Sequence, residues 1–283
     1  MVKKIAKYGG KWDFWGQTAI LLTSYKYSYL CPMRSIDINC DLGEGFANDA
    51  ALMPLISSAN IACGYHAGDA DTIRQTIDLA LRHGVAIGAH PGFADKAHFG
   101  RRALRLEPAA YYDLVSAQIE ILSKAARAAG ARLRHVKPHG ALYNMSARDP
   151  ALAAIIAQAV RDFDPTLLLF GLSGSAAIKA GEAAGLQTVS EVFADRTYQS
   201  DGALTPREQA GALLEDEAAC REQAYNLVLR GRARASDGAE LAVCAQSICL
   251  HGDGAQAVEF ARMLRDFLGQ FAEIAAPIRT SEA

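Results

Sequence analysis

The sequence predicts an α/β protein: a TIM-barrel-like (β/α) barrel of seven strands, one short of the eight-stranded type. Seven runs read as strands, each is followed by a helix or a helix-bearing loop, and no linker or repeat interrupts the alternation. Polar, chemistry-bearing residues stand at the end of nearly every strand run. An open doubly wound sheet, the competing architecture, would gather them at one switch point.

A length of 283 residues with 51% hydrophobic content suits one large core. The expected division is a single barrel domain over residues 33–283 behind an N-terminal extension, 1–32, that is not part of the core. That extension is rich in Lys, Tyr and Trp and lacks a sustained period. It reads as an upstream extension or an early start codon rather than a targeting signal, because its apolar run is short and no small-residue cleavage site follows. No segment is long enough to span a bilayer. A formal net charge of -2 argues against nucleic acid or an anionic membrane as partner. Six scattered cysteines with no CxxC pair read as reduced thiols of a cytoplasmic protein.

The first strand lies in Ser35-Ile-Asp-Ile-Asn-Cys-Asp-Leu-Gly-Glu-Gly45, where Ile36, Ile38 and Cys40 alternate with Asp37, Asn39 and Asp41. In a sheet covered on both faces, three polar side chains on one strand must meet other polar groups, since an unpaired buried carboxylate is costly. Residues 48–57 read as a short helix and 58–66 as the second strand with its turn. Asp71-Thr72 is expected to cap a helix that runs through Leu81 and ends at Gly84. Residues 85–90 form the third strand, closed by Pro91-Gly92, and an Ala-rich helix over 108–129 has Pro108 in its first turn. The fourth strand is expected over 133–138 with a helix over 150–162 behind it. The fifth, 166–170, is an unbroken apolar run suited to full burial. A helix over 175–184, a strand over 187–193, a mostly helical stretch over 205–229, a strand over 247–250 and a closing helix over 255–271 complete the chain.

Read by parity, the strand ends present Asp37, Asn39, Asp41 and Glu44, then Asn60 and His66, then His90. His135, Lys137 and His139 follow on the fourth strand, Glu191 and Asp195 on the sixth, and Cys249, His251 and Asp253 on the seventh. Five of the seven histidines occupy these places, all but His83 and His98. Any single one is more often a structural histidine bonded to a carbonyl, but five at equivalent places point to a shared rim. His135, two residues ahead of Lys137, reads as lying deeper. Asp69 is as well placed to start a helix as to catalyse. Gly171-Leu-Ser-Gly-Ser175 could offer N–H groups to an anion, yet matches neither a Walker motif nor the nucleophile elbow. Arg101-Arg102 could equally be a solvated pair or an anion clamp.

Carboxylates beside histidines and a lysine suit hydrolysis of an amide or ester. Asp41 or Glu44 would activate water, with His66, His90 and His139 as acid or orienting groups. Lys137 would hold a substrate carboxylate or an oxyanion, and Asp195 and Asp253 would fix the histidines. A divalent metal on Asp41 with His66, His90, His139 or His251 is the sharper variant, though no HxxxH or HExxH motif fixes it.

With these residues in view, the chain resembles the LamB/YcsF family from about residue 34 to 276. The resemblance rests on Ile36-Asp-Ile-Asn-Cys-Asp-Leu-Gly-Glu-Gly45, Asn60-Ile-Ala-Cys-Gly-Tyr-His-Ala-Gly-Asp69, Gly88-Ala-His-Pro-Gly92 with Phe99-Gly-Arg-Arg102, and Val136-Lys-Pro-His-Gly-Ala-Leu-Tyr-Asn144. Glu191-Val-Phe-Ala-Asp-Arg-Thr-Tyr198 with Asp201-Gly202, and Cys249-Leu-His-Gly-Asp253, complete it. Tyr65 and Ala70 depart from the family's usual Phe and Pro, and Ala47-Asn48 replaces a glycine-containing turn. The resemblance implies a barrel related to glycoside hydrolases and polysaccharide deacetylases. It further implies ATP-dependent opening of 5-oxo-L-proline to L-glutamate together with 5-oxoprolinase subunits B and C, with Arg196 and His251 joining Asn39, Asp195 and Asp253 in substrate binding or support. Two rivals stand beside this reading, a metal-dependent carbohydrate deacetylase and a non-catalytic binding subunit.

Overall fold

The structure is a computed structural model describing residues 35–254 and 256–278; the expectations for residues 1–32 lie outside the described residues. Where the apolar spacing is two the chain runs as strand, and where it is three to four it coils. β1 (Ser35–Leu42) leads through α1 (Asp49–Leu52) and a 3-10 turn to β2 (Ser58–Ala62). α2 (Ala70–His83) begins at Asp69, whose carboxylate accepts the Thr72 N–H, so the cap lies ahead of the expected Asp71-Thr72. The helix buries Ile73, Thr76, Ile77 and Ala80 on one face and stops at Gly84, φ 67°.

β3 (Ala86–His90) and α3 (Pro108–Ala128) follow as expected. β4 is only His135–Val136, shorter than the predicted 133–138, because Pro138 has no N–H to continue a ladder. The chain still tracks β3 beyond it, with the N–H groups of Lys137 and His139 donating to the carbonyls of Ala89 and Pro91. α4 (Gly140–Arg148), α5 (Pro150–Phe163), β5 (Leu168–Leu172), α6 (Ala176–Ala183) and β6 (Thr188–Phe193) come next. The predicted helical stretch over 205–229 is corrected to α7 (Glu217–Ala224) with a π turn after it. Residues 205–216 are a loop carrying Pro206, pinned by bridges Tyr198↔Leu204 and Arg196↔Leu213. β7 (Arg232–Arg234) and β8 (Glu240–Ala242) form a separate antiparallel hairpin, and β9 (Ser247–His251), α8 (Ala257–Leu268) and β10 (Glu273–Ile274) end the described chain.

Seven parallel strands close the barrel in the order β1-β2-β3-β4-β5-β6-β9, with β9 pairing back to β1 in the register Asp37↔Ser247, Asn39↔Cys249 and Asp41↔His251. β10 extends β1 at its start through Ser35↔Glu273 and Ile36↔Ile274. The parity read from β1 is the parity of the fold. Ile36, Ile38, Cys40 and Leu42 are buried on one face, while the opposite face fills the barrel with hydrogen bonds. Asp37 accepts from Ser57, Ser58 and Ser247; Asn39 donates to Glu191 and Ser247; Asn60 donates to Asn39 and Asp41. Leu168, Phe170 and Val189 on β5 and β6 form a cluster of buried apolar side chains. Among the described residues no helix is long and apolar enough to cross a membrane.

Candidate active site

Asp41, at the top of β1, takes the Lys137 ammonium at 3.0 Å and the Asn60 amide at 2.9 Å on one oxygen, and its other oxygen lies 3.3 Å from His90 Nε2. Burial alone would raise its pKa, but His90 and the Lys137 ammonium beside it outweigh burial and hold it well below the usual carboxylate range. Lys137 is itself buried and spends its charge inside the barrel. Its Nζ lies 2.8 Å from Glu191, 3.0 Å from Asn39 and 3.0 Å from Cys249 Sγ. Burial works against its charge, yet Asp41 and its other negative neighbours raise its pKa well above the ordinary value. Asp41 is therefore an ionised carboxylate kept so by a cation below it.

Beside it three imidazoles and one carboxylate crowd together. The rings of His66 and His139 stack at 3.8 Å with an interplanar angle of 6°, and His90 meets both edge-on. Glu44 Oε1 is 3.2 Å from His66 Nε2 and 3.4 Å from His139 Nδ1. Burial, with the charges of Asp41 and Asp253, pushes Glu44 well above the usual carboxylate range. Burial lowers His66 to about 3, helped by His90, and drives His139 well down. The backbone that permits this crowding is specialised. A Cβ on Gly92 would sit 2.8 Å from His66 Nδ1, and one on Gly100 2.8 Å from His66 Cβ. Phe99, the non-glycine residue with positive φ (54°) among those described, turns its carbonyl to accept from His139 Nε2 at 2.9 Å. Gln118 of α3, fully buried, clamps Gly92 by donating to its carbonyl (2.8 Å) and accepting its N–H (3.0 Å).

Above this floor opens a cleft of about 240 Å³, walled by Tyr143, Phe193, His251, Arg101, Arg196 and Arg207. His251 Nδ1 bonds Asp195 at 2.8 Å. Asp253 is engaged by Arg101 at 2.6 Å and Arg207 at 3.5 Å, so it steadies arginines rather than the histidines that the sequence reading assigns to it. Arg102 pairs with Asp95, and neither member of the Arg101-Arg102 pair is left to solvent alone. Arg196 donates to the carbonyls of Thr205 and Ala212 and forms no ion pair among the described residues; burial, with Arg207 nearby, lowers its pKa to about 10.

A family model, LamB/YcsF, matches residues 36–282. The chain belongs to the LamB/YcsF family. It is 53% identical over 238 residues to a 5-oxoprolinase A-subunit from Shouchella clausii, covering 82% of this chain and 94% of that one. It is 51% identical over 241 residues to the protein of the same name from Brevibacillus brevis, covering 83% and 95%. The solved structure of a lactam utilization protein from Thermus thermophilus superposes with a TM-score of 0.80 at 42% identity, over 86% of this chain and all of that one.

In this LamB/YcsF chain, Asp41, Glu44, His90, Lys137, His139, Arg196 and His251 meet at the cleft. His66 lies behind Glu44 and His139, with no side-chain exposure, and Asn39 lies in the layer beneath. His135 is deeper still, its Nε2 2.8 Å from Asn60 Oδ1. His98 bonds Asp95, outside the cluster. Asp69 is a helix cap, and the Ser173 hydroxyl of the candidate anion turn accepts the Cys244 N–H. Sequence reasoning misses Tyr143, which sits on the unanticipated α4, and Arg207, which falls in the stretch expected to be helical. Pro206 is the signal that could place Arg207 in a loop.

Proposed function

We propose that this chain is the A-subunit of a 5-oxoprolinase, opening the lactam of 5-oxo-L-proline to L-glutamate with ATP hydrolysis coupled through subunits B and C. One observation carries the reading. A single small cleft holds an ionised carboxylate, Asp41, together with a buried cation, Arg196, that has no anionic partner among the described residues. A cyclic amide bearing a carboxylate complements that pair, and the names of the relatives at 51–53% identity agree with it.

Arg196 takes the substrate carboxylate, since an unpaired buried guanidinium gains most from an anion. Asp41 accepts a proton from the attacking water as the new C–O bond forms. It returns that proton to the ring nitrogen as the C–N bond breaks, so one carboxylate serves both transfers. Lys137 keeps Asp41 ionised and does not bind substrate, because its ammonium already meets four acceptors.

A five-membered lactam is stabilised by amide resonance and favoured by ring closure, so coupling to ATP supports the reaction. In the candidate anion turn the N–H groups of Ser173 and Ser175 donate to the carbonyls of Glu191 and Leu172, and we assign nucleotide chemistry to the partners. Cytoplasmic operation accords with Cys40, Cys63, Cys220 and Cys249 standing as thiols outside any disulfide.

The test is reconstitution with subunits B and C while following glutamate and ADP together. The chain alone is expected to release no glutamate from 5-oxoproline and ATP, and the assembly to release both products. Arg196→Met should raise KM by about 100-fold, the scale of a lost charge-assisted contact. No glutamate from the full assembly would remove 5-oxoproline as substrate.

A further inference from the structure

The histidine pair at the cleft floor has an electrostatic problem that its hydrogen bonds create. His90 Nδ1 lies 2.7 Å from the Lys137 carbonyl, and His139 Nε2 lies 2.9 Å from the Phe99 carbonyl. A carbonyl oxygen only accepts, so each of those nitrogens carries the ring's proton. In two neutral rings the remaining nitrogens, His90 Nε2 and His139 Nδ1, both present lone pairs, and they face each other at 2.9 Å. Lone pairs at that distance repel unless a cation lies between them.

Two further donors lie close to the same point. Glu44 Oε1 is 3.4 Å from His139 Nδ1, 4.0 Å from His90 Nε2 and 3.2 Å from His66 Nε2, and all four donor atoms fall within 4.8 Å of one another. Ligands at about 2.0–2.1 Å around a tetrahedral ion are separated by about 3.3–3.4 Å, from the geometry of that polyhedron. The observed edges of 2.9, 3.2, 3.4 and 4.0 Å straddle that spacing. The far nitrogens of His90 and His139 are tied to main-chain carbonyls, the usual support that fixes ring and tautomer of metal-binding histidines, while the far nitrogen of His66, Nδ1, is buried with no hydrogen-bond partner among the described residues.

We propose that Glu44, His66, His90 and His139 form a binding site for one divalent transition metal of the zinc type. Three imidazoles and one carboxylate suit zinc or cobalt and select against magnesium and calcium, which favour oxygen donors. Glu44, His90 and His139 border the cleft, so the ion exchanges with solvent through it. Bound there, it supplies a Lewis acid beside the Asp41 carboxylate. The competing occupant of the lone-pair gap is a proton, making one ring an imidazolium balanced by Asp41 at 3.3 Å.

The experiment uses the full chain alone, stripped with a chelator and titrated with Zn²⁺ by calorimetry and with Co²⁺ by visible absorption, in the absence of substrate, nucleotide and partners. One ion per chain is expected, with Co²⁺ giving the intense visible bands of a low-coordinate site. Glu44→Gln, nearly isosteric, and His139→Ala, checked for folding by circular dichroism, should each weaken Zn²⁺ by at least about tenfold, the lower end of losses seen for supporting groups. Should His139→Ala not fold, Glu44→Gln decides. No stoichiometric uptake of either ion by the wild-type chain would overturn the proposal in favour of the shared proton. Uptake unchanged by both substitutions would overturn it by placing the metal elsewhere. Because no turnover is read, the outcome is independent of whether 5-oxoproline is the substrate.

Discussion

His135 occupies the space that a side chain on Gly88 would need: a Cβ there would lie 2.0 Å from His135 Nε2 and 2.2 Å from Cδ2. The two residues are register partners on β3 and β4, and the ring fills the barrel interior where glycine leaves room. Gly88→Ala should therefore destabilise the protein by about 3 kcal/mol or more, at the upper end of overpacking losses, because a rigid ring cannot yield by tenths of an ångström. Denaturant unfolding checks this. Adding His135→Ala to Gly88→Ala should recover part of the loss, and a double variant less stable than Gly88→Ala alone would contradict the steric account.

His135 also gives the acid limb of stability. Burial first, then the charge of Lys137, lowers its pKa to about 3 from an ordinary 6.5. The folded state thus binds fewer protons than the unfolded chain between those values, and the stability contributed is complete above about pH 6.5 and lost as pH falls towards 3. A shift of that size corresponds to roughly 4–5 kcal/mol over the window. His135→Gln should flatten the fall in melting temperature between pH 6.5 and 4, and an unchanged slope would assign the acid limb to other groups such as His66.

Lys137→Met leaves Asp41 and Glu191 buried without their cation. Removing one partner of a buried ion pair costs about 3–5 kcal/mol. Stability should drop by that order and glutamate formation by the assembled enzyme should fall below detection. Lys137→Met combined with Glu191→Gln should regain stability but not activity, because Asp41 still lacks the charge that keeps it ionised.

Gln118→Leu removes the clamp on Gly92, leaving a buried N–H and a buried carbonyl unpaired at about 1–3 kcal/mol each. Gln118 does not line the cleft, so the expected signature is a fall in kcat with KM for 5-oxoproline nearly unchanged, as the His66–His139 stack loses its seat. Gln118→Glu, which keeps one acceptor, should lose less stability near pH 5 than near pH 8, where its charge is buried.

The barrel was legible because β1 writes its two faces in alternate letters: Ile36, Ile38 and Cys40 against Asp37, Asn39 and Asp41. The helices α2, α3 and α5 were legible for the same local reason, their apolar spacing and their proline or glycine ends. The site was legible only as a set of strand ends. That Lys137 turns inward to Glu191, that Asp253 holds Arg101 across 152 residues of sequence, and that Phe99 bends into a left-handed turn for His139 are decisions made by distant neighbours. Loop 205–216 escaped for a different reason: good helix formers surround Pro206, and what overrides them is pairing with β6's extension at Arg196 and Tyr198. The hairpin β7–β8 is too short to carry a period.

The hydrogen bonds that fill the barrel impose an order of assembly. Asp37 and Asn39 leave the ribosome early, yet the Ser247 hydroxyl that each of them meets lies 210 and 208 residues further on. At synthesis rates of about 5–20 residues per second, β1 waits for something like 10–40 s before its interior face can be completed. Ser57, Ser58 and Asn60 meet Asp37 and Asn39 as soon as β2 is made, but the Ser247 share of that layer, and the closure of the ring, wait until β9 has emerged. A truncation ahead of residue 247 removes β9 from between β1 and β6 and should leave a fragment far less stable than the full chain.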